Sequence, residues 1–192
     1  KGTVLSPMQI EALLRADGKI PAAAIKKLVA LQRKAQALML KKGDQKAKIL
    51  KLLDESVAIA LKHVAARHKK LVTPVMRAAQ TQSQMTTMSS PWFKSFMKTD
   101  PIRYWPKVKC PVLLLIGEKD LQVPAAANIK PVVRALKRAR NRDVTAKKLA
   151  GLNHLFQKAK TGLIKEYAEL EESFAPSALD IIAKWMTKRF VK

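Results

Sequence analysis

A short, wholly apolar segment constrains the fold of this chain more than any other feature. Val112–Ile116 is a run of five apolar residues with Pro111 before it and Gly117 after it. Such a run is typical of a parallel strand covered on both faces, because a strand with one solvated face alternates apolar and polar residues. Pro124 then opens a helical pattern, and Asp143–Leu149 has the pattern of a second strand, with a polar middle that indicates a sheet edge. The sequence therefore predicts a strand, a helix and a strand of an α/β sheet.

A candidate acid and a candidate histidine follow these two predicted strands. Asp120 comes three residues after Gly117, and His154 comes 34 residues after Asp120 in the loop that starts at Gly151. An acid beyond one strand and a histidine beyond the next is the order in which a Ser/Asp/His triad presents its last two members. Glu118 and the acidic residues of 166–172 are interpreted more simply, as solvated side chains in a basic neighbourhood.

The nucleophile of such a triad is missing from the sequence. In proteins that present the acid and the histidine in this order, the serine lies in Gly-x-Ser-x-Gly, a sharp turn between a strand and a helix. The glycines are residues 2, 18, 43, 117, 151 and 162, and no two of them are four positions apart. The turn that carries the serine therefore cannot be formed by these residues.

The first part of the chain is expected to be helical. Ser6 is predicted to cap a short helix, Pro21 opens a longer one, and Asp44 starts a third. These amphipathic helices predict an all-helical lid or small bundle over residues 1–88. Residues 80–90 are polar, uncharged and without strong periodicity, so a hinge or loop is expected there.

Large apolar side chains follow the predicted hinge and recur at the end of the chain. Trp92, Phe93 and Phe96 are interpreted either as plain core or as the wall of an acyl pocket. A last helix is predicted from about Pro176, and helical spacing assigns it an inner face. The members of that face are Leu179, Ile182, Ala183, Met186 and Phe190.

The formal charge is the most unusual part of the composition. Thirty-eight Lys and Arg residues against 14 Asp and Glu residues give +24 over 192 residues. A field of this strength favours contact with polyanions such as RNA, in a salt-dependent way. The single cysteine, Cys110, excludes an internal disulfide and every multi-cysteine metal site, and no metal or other cofactor is expected. There is no membrane span and no signal-peptide pattern, which leaves the compartment unassigned, with cytoplasmic or organellar locations favoured.

From Ser89 onward the chain resembles the carboxyl half of a serine-dependent α/β-hydrolase, in the esterase-like branch with a helical cap inserted before the last two strands. The resemblance is carried by Ser-Ser-Pro-Trp-Phe, Pro-Val-Leu-Leu-Leu-Ile-Gly-Glu-Lys-Asp and Gly-Leu-Asn-His-Leu-Phe-Gln. It implies residues 1–88 as the cap and residues 89–192 as the end of the catalytic domain. It also implies that Asp120 orients the imidazole and that His154 is the general base and acid. Trp92, Phe93 and Phe96 are the candidate substrate-binding residues because they follow the predicted hinge.

Two classes of function follow from these observations. The first is a serine-dependent ester hydrolase acting on a small acyl ester, in which the serine comes from an N-terminal hydrolase portion or from a complementary chain. The second is a catalytically inactive hydrolase remnant, acting as a basic structural or RNA-binding component of a ribonucleoprotein assembly. The pair of motifs favours the first class, and the charge with the missing serine turn favours the second.

Overall fold

A computed structural model describes residues 2–65 and 72–191. The chain divides into two compact units, Lys1–Thr99 and Asp100–Lys192. The sequence predicts a boundary between residues 88 and 89, whereas the structure divides after Thr99. The segment with Trp92, Phe93 and Phe96 therefore belongs to the helical unit and not to the unit with the strands. The physical reason is the burial of Met97, which is 1% exposed within the core of the helical unit.

The first unit is built from helices in the part of the chain that the structure describes. They are α1 (Gly2–Asp17), α2 (Ala22–Met39), α3 (Lys46–Lys62), α4 (Pro74–Ser89) and α5 (Pro91–Lys98). The apolar faces of α2 to α5 meet in one core, as the helical spacing of the sequence predicts. Its buried members are Ala35, Met39, Ile49, Leu53, Met85, Met88 and Met97.

Two sequence predictions about this unit are wrong. Residues 80–90 do not form a hinge: they are the second half of α4 and Ser90, which caps α5, with Thr81, Met85 and Met88 turned inward at helical spacing. Ser6 does not cap a helix, because α1 already begins at Gly2; its hydroxyl accepts a hydrogen bond from Gln36 Nε2 at 3.0 Å. In both places, packing against neighbouring helices outweighs the local signal.

The second unit contains the predicted strand, helix and strand. Its elements are β1 (Val112–Gly117), α6 (Ala125–Arg138), β2 (Val144–Leu149) and α7 (Pro176–Phe190), with short 3₁₀ helices at Pro101–Arg103, Trp105–Lys107 and Ile164–Glu169. The strands are parallel, with Val112 opposite Val144 and Gly117 opposite Leu149. Within the described ranges β1 has β2 as its only partner. The unit is therefore a mixed helix and strand structure with a two-stranded parallel sheet, as expected of an α/β protein.

The orientation of α7 differs from the prediction. Leu179, Met186 and Phe190 are 52%, 51% and 63% exposed, whereas Ala178 is fully buried and Ile181 packs against the core of this unit. The helical spacing defines an apolar stripe correctly, but a second, smaller face packs on the strands. No helix in the described part of the chain combines the length and apolarity needed to cross a membrane.

Candidate active site

The parallel pairing of β1 and β2 brings the candidate acid and histidine to one edge of the sheet. Asp120 lies three residues beyond the end of β1, and His154 lies five residues beyond the end of β2. The two strands end level with each other, since Gly117 is opposite Leu149. Ligands and reacting groups of open α/β sheets collect at the carboxyl ends of the strands, which is the edge occupied here.

Asp120 and His154 form a direct contact. Nδ1 of His154 lies 2.9 Å from Oδ2 of Asp120, whose side chain is 6% exposed. The other carboxylate oxygen, Oδ1, accepts hydrogen bonds from the backbone N–H groups of Gln122 (2.9 Å) and Val123 (2.7 Å). Both oxygens are thus engaged, and the buried carboxylate is held in one orientation toward the imidazole ring.

The second ring nitrogen of His154 is available. The side chain is 36% exposed, and no described residue lies within hydrogen-bond reach of its Nε2 atom. A carboxylate at Nδ1 selects the tautomer with a proton on Nδ1, an assignment that follows from the hydrogen-bond network. Nε2 is then an acceptor that faces away from Asp120. This arrangement can take a proton from a hydroxyl group and return it later.

A buried amide fixes the loop that carries His154. Asn153 is fully buried, and its Oδ1 accepts from the backbone N–H groups of Leu155 (2.9 Å) and Gln157 (3.0 Å). Its Nδ2 donates to Oε1 of Gln157 at 3.0 Å. The loop also contains Phe156 at a φ of 57°, in the left-handed region that is uncommon for a residue with a side chain. Packing of Phe156 on Phe174, with ring centroids 5.3 Å apart, holds this conformation.

Gly117 allows the histidine loop to approach the end of β1. A Cβ atom at this position would lie far inside contact distance of the carbonyl oxygens of Leu152 and Asn153. Both neighbours are backbone atoms, so they cannot move aside as a flexible side chain does. Any side chain at position 117 would therefore push the loop away from the turn that leads to Asp120.

Glu166 holds the 159–162 loop, which also contacts the turn of Asp120 through Lys119. Its carboxylate accepts from the hydroxyl of Thr161 (2.6 Å) and from the backbone N–H groups of Thr161 (2.9 Å), Gly162 (2.8 Å) and Lys160. These bonds, led by the Thr161 hydroxyl, lower the pKa of Glu166 from 4.5 to about 2. Lys119, next to Asp120, donates through Nζ to the carbonyls of Ala159 (2.8 Å) and Lys160 (2.6 Å). The 159–162 loop is thus tied to both Glu166 and the turn of Asp120.

The interpretation of the acidic residues as simply solvated is wrong for Glu166, which is 9% exposed, and incomplete for Glu118. Glu118 is exposed, but Lys148 Nζ donates to it at 3.0 Å and the N–H of Gly151 donates at 3.2 Å. These two contacts, the one with Lys148 first, lower the pKa of Glu118. The sequence of residues 166–172 does not distinguish Glu166 from the other acidic residues, because three of its four hydrogen-bond donors are backbone N–H groups.

The predicted substrate-binding aromatic residues form a cluster on α5. Trp92 stacks on Phe96 with ring centroids 5.7 Å apart, and Phe93 lies 6.2 Å from Phe96. Phe93 and Phe96 pack against the core of the helical unit, whereas Trp92 is 71% exposed. Their role in contacting a substrate stays a prediction.

The described residues contain no group of histidine, cysteine and carboxylate side chains able to hold a metal ion. Comparison of the chain with protein-family models, with curated proteins and with solved structures finds no match. The Asp120–His154 contact is therefore the observation on which a functional assignment depends.

Proposed function

We propose that this chain supplies the acid and the histidine of a serine-dependent ester hydrolase of the α/β-hydrolase type. The observation that carries the proposal is the buried Asp120 carboxylate 2.9 Å from Nδ1 of His154, with Nε2 of the ring available. The order of the two motifs along the chain and their position beyond neighbouring parallel strands agree with it.

In this proposal His154 removes the proton from a serine hydroxyl through Nε2 as the serine oxygen attacks the ester carbonyl. Asp120 stabilises the imidazolium that forms, and His154 then gives the same proton to the departing alkoxide. The acyl group stays on the serine. In the second half of the reaction His154 takes a proton from water, the hydroxide attacks the acyl-serine, and the proton returns to the serine oxygen.

The serine is assigned to a polypeptide segment outside these 192 residues, because no Gly-x-Ser-x-Gly can be written in them. Two features of the second unit support the presence of a complementary polypeptide segment. Among the described residues β1 pairs on one side only, although its sequence is apolar on both faces. In addition, α7 exposes the apolar stripe of Leu179, Met186 and Phe190. A free edge on an apolar strand and an exposed apolar helix face both favour association with a further polypeptide segment.

The proposed substrate is a small acyl ester, with Trp92, Phe93 and Phe96 assigned to the acyl group. Phe93 lines a cavity of about 480 Å³ within the helical unit, a volume in the usual range for small-molecule sites. The walls of this cavity carry uncharged side chains only.

Labelling with a serine-reactive fluorophosphonate tests the proposal. The reagent should label a serine-containing polypeptide in material that contains this chain in its native assembly, and mass spectrometry of the labelled peptide should find the Gly-x-Ser-x-Gly turn. In the reconstituted assembly, His154→Ala should abolish labelling, and Asp120→Asn should slow ester hydrolysis by about 10³–10⁴-fold because it favours the wrong tautomer.

Glu118→Gln is the matched control, since it changes an exposed carboxylate beside the site and should leave labelling unchanged. Labelling that survives His154→Ala would contradict the proposal.

A second candidate is the inactive, basic structural or RNA-binding component, and the +24 charge is the observation that favours it. This candidate predicts that no serine in the assembly is labelled and that RNA retention falls steeply as the salt concentration is raised. The same preparation therefore separates the two candidates.

A further inference from the structure

The outer surface of the α2–α3 hairpin carries a groove with an apolar floor. It has a volume of about 440 Å³, and its floor consists of Ala37, Leu38 and Leu52. Ala37 is exposed, whereas Leu38 and Leu52 are half-buried and also pack against the core of the helical unit. The floor is therefore set into the surface between two packed helices and does not project from it.

Lysines form the rim of this groove on both helices. Lys34 and Lys41 stand on the α2 side, and Lys48 and Lys51 stand on the α3 side. All four are exposed, and none of them forms an ion pair with another described residue. The nearby carboxylate of Asp54 is already engaged by Arg77, at 2.7 Å from Nε and 2.6 Å from a terminal nitrogen.

The surrounding sequence strengthens the positive charge of the rim. Asp44 is the single acidic residue between positions 22 and 51, and its Oδ1 accepts from the backbone N–H of Lys46 at 2.8 Å. The same stretch contains nine basic residues, which are Lys26, Lys27, Arg33, Lys34, Lys41, Lys42, Lys46, Lys48 and Lys51. Like charges at this density repel one another, so an acidic partner lowers the electrostatic free energy of the surface.

We propose that this lysine-rimmed groove binds an acidic amphipathic helix of another polypeptide. The apolar floor accepts the apolar stripe of the helix, and carboxylates on both flanks of that stripe meet the two rows of lysines. The inference uses residues of the first unit only, so it holds or fails independently of the proposed hydrolase.

Other polyanionic partners fit the groove less well. A bilayer is bound by apolar or aromatic side chains that project into it, whereas the groove lining has no aromatic residue and its leucines are recessed. Nucleic acid is bound through Lys and Arg contacts to phosphates, combined with polar donors to base edges or with aromatic rings that stack on bases. Here the lining offers lysines and an apolar floor alone. The combination of an apolar centre and a cationic rim matches an amphipathic acidic protein segment.

Fluorescence anisotropy of the full chain with a designed helical peptide tests this inference. The probe carries leucines at i, i+3, i+4 and i+7 with glutamates on both flanks. Binding is expected, and Lys34→Glu with Lys51→Glu should weaken it about tenfold, because two exposed attractions become repulsions. The matched control is Lys26→Glu with Lys27→Glu, which alters exposed lysines of α2 outside the groove and gives the same net charge. Circular dichroism checks that both variants keep their helices.

A second peptide separates the contribution of the apolar side chains to binding from that of the charged side chains. Replacing its leucines by serines while keeping every glutamate should abolish binding. Equal binding of the leucine and serine peptides, or equal weakening by the two double variants, would overturn the inference. So would tighter binding to a homopolymeric RNA or to vesicles containing phosphatidylserine than to the leucine peptide.

Discussion

The carboxylate of Glu166 offers the most direct test of how the site is held. Glu166→Gln keeps the size of the side chain but removes its charge and replaces one acceptor oxygen by an NH₂ donor. In the wild type the two oxygens accept from three backbone N–H groups, of Lys160, Thr161 and Gly162, and from the Thr161 hydroxyl. The amide can accept at one atom only, so part of this donor cluster loses its partner.

The size of the effect follows from the pKa of Glu166. Its fall from 4.5 to about 2 sets an upper limit of about 3 kcal/mol on the stabilisation at neutral pH, since a tenfold change in proton affinity is worth ~1.4 kcal/mol. Because the folded pKa is below the unfolded value, this stabilisation is complete above pH 4.5. It is lost progressively as the pH falls from 4.5 toward 2.

Urea unfolding followed by tryptophan fluorescence measures the free energy of unfolding at several pH values. At pH 7 Glu166→Gln should destabilise the chain by about 2–3 kcal/mol, and the difference from wild type should shrink as the pH falls below 4. Amide hydrogen exchange of residues 160–162 should become faster in the variant. The matched control is Glu169→Gln, which changes an exposed carboxylate of the same 3₁₀ helix.

Equal free energies of unfolding for the Glu166 and Glu169 variants at pH 7 would refute the reasoning. So would a difference from wild type that stays constant down to pH 2. In either case the hydrogen bonds of Glu166 would not be a significant source of stability.

Three further changes test other parts of the structure. Gly117→Ala should destabilise by about 1–3 kcal/mol and displace the His154 loop, which the NMR resonance of the Nδ1 proton reports; an unchanged resonance would contradict the close approach. Asn153→Ala should cost about 1–3 kcal/mol in urea unfolding, because the N–H groups of Leu155 and Gln157 lose their acceptor. Met85→Ala should cost about 2–5 kcal/mol, whereas exposed Thr86→Ala should cost little; similar values for both would argue for a loop at residues 80–90.

Strong local patterns predicted the central elements of the second unit. The apolar run before Gly117 is observed as β1, Pro124 precedes α6, and the polar segment that ends at Leu149 is observed as β2. The contact between Asp120 and His154 follows from the same reasoning, because neighbouring parallel strands bring their carboxyl ends together. The assignment to a hydrolase remains a prediction.

The wrong predictions share a physical cause. Residues 80–90 have weak helical signals, and burial of Met85 and Met88 in the core stabilises the helix there. The face of α7 that packs is the one with Ala178, because a small residue allows close approach to the sheet. The stripe with Leu179, Met186 and Phe190 stays exposed. Hydrophobic spacing alone therefore does not tell which of the two faces of α7 packs against the rest of the unit.

The sequence by itself determined the positions of the strands, most helix starts, the order of the acid and the histidine, and the absence of a serine turn. Only the tertiary structure decided that Asn153 holds the His154 loop and that Glu166 holds the 159–162 loop. Most of their partners are backbone N–H groups, which every non-proline residue has, so the identity of a side chain gives no sign of which ones it will meet. Which N–H groups these two side chains meet depends on how the loops fold over the sheet, because the partners become neighbours only in the folded unit.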